Sequence, residues 1–238
     1  MRRIGLALAF ACLSWLSASA QNDRGGTPGE FDYYVLVLSW SPTYCETEAR
    51  GEYDQQCSGV RPYAFVLHGL WPQYERRGWP EFCRTQERPF VPQNVIDGML
   101  DIMPSPRLVI HQYRKHGTCS GMQPSQYFEL SRRMYEKIRI PERFQNLSQA
   151  QTVSPKEVEQ AFLDANPQLA PDMIEVGCSR NRLRDVRICF GKDMKVRNCG
   201  ENELGRRLCY AQQLTMPPVR GNGNAGDQQG GGRPPRGI

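Results

Sequence analysis

The chain has 238 residues and a formal net charge of +5, with 39% apolar and 23% charged residues. These values fit a soluble globular protein of one domain, or at most two small ones. They exclude collagen-like and heptad-repeat chains, and the 10% aromatic content excludes wholesale disorder.

Residues 1–20 read as a secretory signal peptide. Arg2 and Arg3 precede an apolar run from Ile4 to Leu16, then Ser17-Ala18-Ser19-Ala20 supplies an A-x-A cleavage site. The run is too short for a membrane span, and no later stretch reads as one. Removing the segment leaves a charge of +5 − 2 = +3 and removes Cys12. Eight cysteines remain, at 45, 57, 83, 119, 178, 189, 199 and 209. An even number in an exported chain implies disulfides, though many pairings are open. The expected location is secreted or periplasmic.

Residues 21–30 are Gly-rich and polar and read as a flexible arm. Tyr33 to Ser39 is an apolar strand, ended by Ser41-Pro42. Tyr63 to Leu67 reads as its partner, with Gly69-Leu70-Trp71-Pro72 breaking regular structure after it. Pro92 to Met103 has helical spacing and stops at Pro104 and Pro106. Leu108 to His116 is a second helix, with Gly117 just past its end. Ser125 is the expected cap of a third. Ser154-Pro155-Lys156-Glu157 is a capping box, opening a helix to about Ala165. Met173–Val176 and Val186–Phe190 read as strands, and residues 215–238 as a disordered Gly/Pro-rich tail. The expected fold is α+β: a central antiparallel sheet with several packed helices, in one disulfide-stabilised domain over 31–214. The arginine pairs and clusters (Arg76/Arg77, Arg132/Arg133, Arg180/Arg182/Arg184, Arg206/Arg207) read as solvated surface.

Three histidines are present: His68, His111 and His116. On a helix, His111 and Lys115 share one face, and Gln112 and His116 share the next. That quadrant offers two imidazoles, an ammonium and an amide. Zinc-binding histidines on a helix sit at i and i+4, whereas these are five apart, and Lys115 repels a cation. No metal and no other cofactor is expected. An anion fits instead: imidazoles act as general base and acid near neutrality, and lysine meets a phosphate.

Val66-Leu67-His68-Gly69-Leu70-Trp71-Pro72-Gln73 resembles the first active-site segment of the T2 family of secreted endoribonucleases. His111-Gln112-Tyr113-Arg114-Lys115-His116-Gly117-Thr118-Cys119 resembles the second, and Phe31 to Cys45 the family's first strand. The similarity spans roughly Phe31 to Tyr210. It implies metal-independent cleavage of single-stranded RNA through a 2′,3′-cyclic phosphate, with low base specificity. It implies no action on DNA, and a monomer that binds no membrane is expected. By the same resemblance His116 is the base, His68 the acid, His111 a phosphate holder and Lys115 the stabiliser of the pentacoordinate state. Trp71 would stack on a base. Gln112 stands where the family has glutamate, and it keeps open the alternative of a ribonuclease-fold protein that binds RNA or another partner with weakened catalysis. The family also implies the bridges Cys83–Cys119, Cys178–Cys209 and Cys189–Cys199, which leave Cys45–Cys57.

Overall fold

The computed structural model describes residues 25–48, 55–204 and 208–220. Strand β1 (Tyr33–Trp40) is buried along nearly its whole length. It pairs antiparallel with β2 (Phe65–Gln73) on one side and β5 (Arg182–Gly191) on the other. β4 (Ile174–Ser179) pairs with β5, and the short β3 (Gln151–Val153) pairs with β6 (Leu214–Met216), each antiparallel. β6 meets β5 in parallel, at Arg182 and Thr215. The sheet is therefore mixed, which departs from the antiparallel expectation. The long connection between β5 and β6 gives the chain room to return in the same direction.

The two faces of β1 serve different ends. Tyr34, Leu36, Leu38 and Trp40 enter the main core with Leu67, Leu70, Val186 and Ile188. Helices α4 (Pro124–Glu136) and α6 (Pro155–Ala165) cover that core with Tyr127, Phe128, Val158 and Phe162. The other face carries Tyr33, Val35 and Val37 with Cys189, Cys199 and Trp71 in a second, smaller cluster. Period-two alternation separates the two sets.

Several boundaries differ from expectation. Strand β2 does not break after Leu67 but runs on through Pro72, which faces Tyr34. It lies at the end of the strand order, and an edge strand tolerates a proline because no neighbour needs its missing N–H. Ser41-Pro42 opens helix α1 (Ser41–Thr47), since proline suits a first helical turn. Helix α2 (Gln93–Asp97) is far shorter than the expected run to Met103. Gly98 follows it, and the Ile102 carbonyl is taken by the Leu67 N–H at 2.8 Å, tying the segment to β2. Helix α3 (Pro106–Lys115) starts at a proline read as a stop, and Ser105 caps it by accepting from the Leu108 N–H at 3.3 Å. Helix α4 begins before Ser125: Gln123 stands at the cap, and its N–H donates to Gln126 Oε1 at 3.1 Å. A one-turn helix, α5 (Glu142–Gln145), leads toward β3. The capping box of α6 is present, with the Ser154 N–H donating to Glu157 Oε2 at 2.6 Å.

The expected arm and tail are partly docked. The Gly29 N–H donates to the Cys119 carbonyl at 2.9 Å, and the Val219 N–H to the Leu147 carbonyl at 2.7 Å. Thr215 and Met216 belong to β6 rather than to a tail, because Met216 has a buried place in the main core. The signal peptide and residues 221–238 lie outside the described residues. Disulfides join Cys45 to Cys57, Cys83 to Cys119, Cys178 to Cys209 and Cys189 to Cys199.

Candidate active site

The register of β1 against β2 shifts between Val37 and Leu38. Val37 faces Gly69 and Leu38 faces Leu67, so His68 is an extra residue in the ladder. Such a bulge re-aims a side chain. Leu67 and Leu70 both reach the main core, while His68 turns to the opposite face. There its Nδ1 lies 2.9 Å from Ser39 Oγ. Gly69 must be glycine: a Cβ would sit 2.2 Å from Gln112 Oε1 and 2.7 Å from Trp71 Nε1.

The second half of the site comes from the end of α3, which the Cys83–Cys119 bridge ties to the loop after β2. Gln112 is 1% exposed, and its Oε1 accepts a hydrogen bond from the Trp71 indole N–H at 2.8 Å. His116 stacks on the Trp71 ring at 4.9 Å and 19°, while His68 meets the same ring edge-on at 5.5 Å. One indole therefore links two imidazoles carried by different elements. Burial pushes His68 down to about 4, with Asp185 opposing and Arg187 adding to the fall. Burial, then Lys115, His68 and His111, holds His116 well below the usual histidine range. His116 Nδ1 is buried without a hydrogen-bond partner among the described residues. His111 is exposed and lowered by partial burial of its ring and by Lys115. Lys115 pairs with Glu81 at 3.4 Å. Among the described residues no group of three or more His, Cys, Asp or Glu is placed to hold a metal ion.

Two imidazoles and an ammonium brought together by the two motif segments decide the family. The family model for the ribonuclease T2 family matches residues 31–199. The chain belongs to the ribonuclease T2 family. A ribonuclease of Aeromonas hydrophila is 34% identical over 227 residues, covering 92% of this chain and 100% of the relative. Solved structures share the fold. An RNase-related protein from Calystegia sepium superposes with a TM-score of 0.63 at 22% identity, covering 80% of this chain and 98% of that one. A mutant of RNase MC1 in complex with 5′-UMP superposes at 0.60 and 21%, covering 78% and 98%.

Within this T2-family site the structure adds residues that sequence reasoning missed. A pocket of about 300 Å³ is lined by Trp71, Gln73, Trp79, Lys115, His116 and Arg187, among others. The Arg187 guanidinium lies over the Trp71 ring at 5.2 Å. Trp71 thus has His116 stacked on its ring and Arg187 above it, and it still lines the pocket. Arg187 donates to Asp185 at 3.2 Å and lies 3.7 Å from Glu203, which accepts from the Tyr33 hydroxyl at 2.5 Å. Burial raises Asp185, but Arg187 and Arg184 outweigh it and hold the carboxyl below its usual range. Asn202 donates to Gln73 Oε1 at 3.0 Å across the same wall. A signal for the wall exists in the sequence: Asp185 and Arg187 alternate with Val186 and Ile188, so they occupy the face opposite the main core. Of the arginine clusters, Arg132 and Arg133 pair on the surface with Asp101 and Glu129 as read, whereas Arg184 joins this wall.

Proposed function

We infer that the protein is an endoribonuclease that cleaves single-stranded RNA by transesterification. The observation that carries this reading is the packing of His68 and His116 on one indole beside Lys115. The ribose 2′-hydroxyl gives its proton to His116 Nε2 and its oxygen bonds to the adjacent phosphorus. The P–O5′ bond breaks, and His68 Nε2 donates the proton that the leaving O5′ takes up. The products are a 2′,3′-cyclic phosphate and a free 5′-hydroxyl, and water can later open the ring by the reverse roles. Lys115 and His111 offset the charge that builds on the phosphoryl oxygens. Lowered basicity suits His116, which stays unprotonated and ready to accept well into acid. His68 must be protonated to donate. The negative phosphate, once bound, raises its proton affinity.

Gln112 is the one departure from the family pattern, and its bond to Trp71 gives it a positioning role that needs no charge. Its presence alone supports the binding-only alternative, and the complete set of His68, His111, Lys115 and His116 opposes it. Trp79, 41% exposed at the rim of the pocket, offers an aromatic face on which any base can stack, and this supports low base specificity. Four disulfides fit an oxidising compartment, so we place the enzyme outside the cytosol. Digestion of mixed RNA with EDTA present is the test. Acid-soluble products with cyclic phosphate ends are expected, and single-stranded DNA should survive. RNA left intact, or DNA cut at a comparable rate, overturns the reading.

A further inference from the structure

Asp185 is 4% exposed and stands inside the sheet, between β1 and β4. A carboxylate is costly to bury unless other groups compensate its charge. Two arginines do so: Arg184 Nε–H donates to Oδ2 at 2.6 Å, and Arg187 Nε–H donates to Oδ1 at 3.2 Å. The fold also keeps a space for the carboxylate. Gly177 is the partner of Asp185 on β4, and a Cβ there would sit 2.2 Å from Asp185 Oδ1. Glycine inside a strand weakens it and marks a close approach. Both the glycine and the buried charge are departures from what a stable sheet needs.

On its other side Asp185 faces Ser39 of β1, and residues directly opposite share one face of a sheet. His68 turns to that same face, with Nδ1 2.9 Å from Ser39 Oγ. His68, Ser39, Asp185 and Gly177 therefore form a row across β2, β1, β5 and β4. The charges around His68 are of mixed sign. Burial, Arg187, His111 and Arg184 disfavour a proton on the ring, and Asp185 favours one. His116, on the other side of Trp71, repels a charged His68 when both carry protons. Arg187 is shared with Glu203 at 3.7 Å, which offsets part of its charge. A general acid must hold its proton before it can give it, so a carboxylate placed in this row bears on the rate.

We propose that Asp185 is a positioning residue of the reaction: held across Ser39 from His68, its carboxylate offsets the charge of the imidazolium that protonates the leaving O5′. Asp185 neither gains nor loses a proton; the one transferred is carried by His68. Arg184 and Arg187 serve the same end by keeping the carboxyl ionised. This role rests on the ribonuclease reading above.

The experiment compares a dinucleoside monophosphate, whose O5′ needs a proton to leave, with a nucleoside 3′-nitrophenyl phosphate, whose aryl oxide leaves without one. Both reactions begin with attack of the 2′-hydroxyl and need the base. Asp185→Asn keeps the size of the side chain and removes its charge. On the dinucleotide, the basic limb of kcat/KM should move down by about one pH unit, the lower end for loss of a nearby opposite charge. Above the limb the rate should fall about 10-fold. The nitrophenyl ester, which calls on no acid, should change less than about twofold. Arg184 is half-buried, and Arg184→Gln removes a competing cation while leaving the carboxylate, so the basic limb should move up. An unmoved limb in Asp185→Asn, or equal losses on both substrates, would mean that Asp185 only holds the wall together. A limb that stays or moves down in Arg184→Gln would mean that the balance of charge in this row does not act on His68. Either result overturns the proposal while leaving the nuclease reading intact, and the second decides alone if Asp185→Asn does not fold. A wild-type protein that cuts neither substrate overturns both.

Discussion

Ser39→Ala removes the hydroxyl that faces Nδ1 of His68 at 2.9 Å. When His68 serves as acid, both ring nitrogens carry protons, and Nδ1–H donates to Ser39 Oγ. A hydrogen bond to a charged group is worth about 1.5–3 kcal/mol and a neutral one about 0.5–1.5. Deleting the partner therefore disfavours the imidazolium over the imidazole by about 1 kcal/mol, a little under one pH unit. His68 starts at about 4, and its protonated fraction falls as pH rises through that value. The basic limb of kcat/KM, which reports the free enzyme's acid, should move down by about 0.7 units. Above the limb the rate should fall about 5-fold, since 1 kcal/mol is that factor. Asp185, Arg187, Arg184 and His111 also act on this ring, but they are present in both proteins and cancel. The assay is a pair of pH–rate profiles on one dinucleoside monophosphate at fixed ionic strength, with Ser39→Thr as the variant that keeps the hydroxyl. A basic limb that stays in place or moves up in Ser39→Ala refutes the argument.

Alanine at His68 or at His116 should each lower turnover about 10²–10⁴-fold. The double variant should lose far less than the product, because both groups serve one transition state. A near-normal steady-state rate in either single variant would remove that residue from its role. Gln112→Glu places a carboxylate at the Trp71 N–H, next to His116. It opposes the effect of burial and raises the pKa of the base, so the acidic limb should move to higher pH and the wild type should work further into acid. An unmoved limb in the same profiles would show that the new charge does not act on His116. Opening the Cys83–Cys119 bridge, which spans 36 residues, should lower stability by about 4 kcal/mol on the loop-entropy model. Thermal melts of a Cys83→Ser/Cys119→Ser variant check this, and an unchanged melting temperature would contradict it.

What is legible in this sequence is local. The Ser154–Glu157 capping box works through bonds between residues three apart, so its letters suffice. The spacing of His111, Gln112, Lys115 and His116 on one helix is likewise fixed by the helical repeat alone. The fate of Pro72 is not legible, because a proline breaks a central strand and not an edge strand, and the strand order is a property of the whole sheet. Pro106 reads equally as the stop of one helix and the start of another. Only the cap from Ser105 to the Leu108 N–H decides between them. His68 is legible as a reactive residue but not as a bulge, since the shift that aims it shows only when Val37 and Leu38 find their partners. The alternation of Asp185 and Arg187 with Val186 and Ile188 sets their face but not their burial, and Glu203 carries no such signal. Charged residues read as surface until β5 is seen to lie in the middle of the sheet with its second face closed over by the site.

The bulge also says what the scaffold would be without its acid. With His68 deleted, Leu67 and Gly69 would become neighbours, and they already face Leu38 and Val37, which are neighbours on β1. The two halves of the β1–β2 ladder would join with no slip, and Leu67 and Leu70 would keep their core partners. The residue that the ribonuclease reading makes the acid is thus an extra residue in an otherwise regular antiparallel pair. Chemistry and architecture are separable here at a single position: on the ribonuclease reading, a chain without His68 would pair these strands more regularly and lack the group that protonates the leaving oxygen.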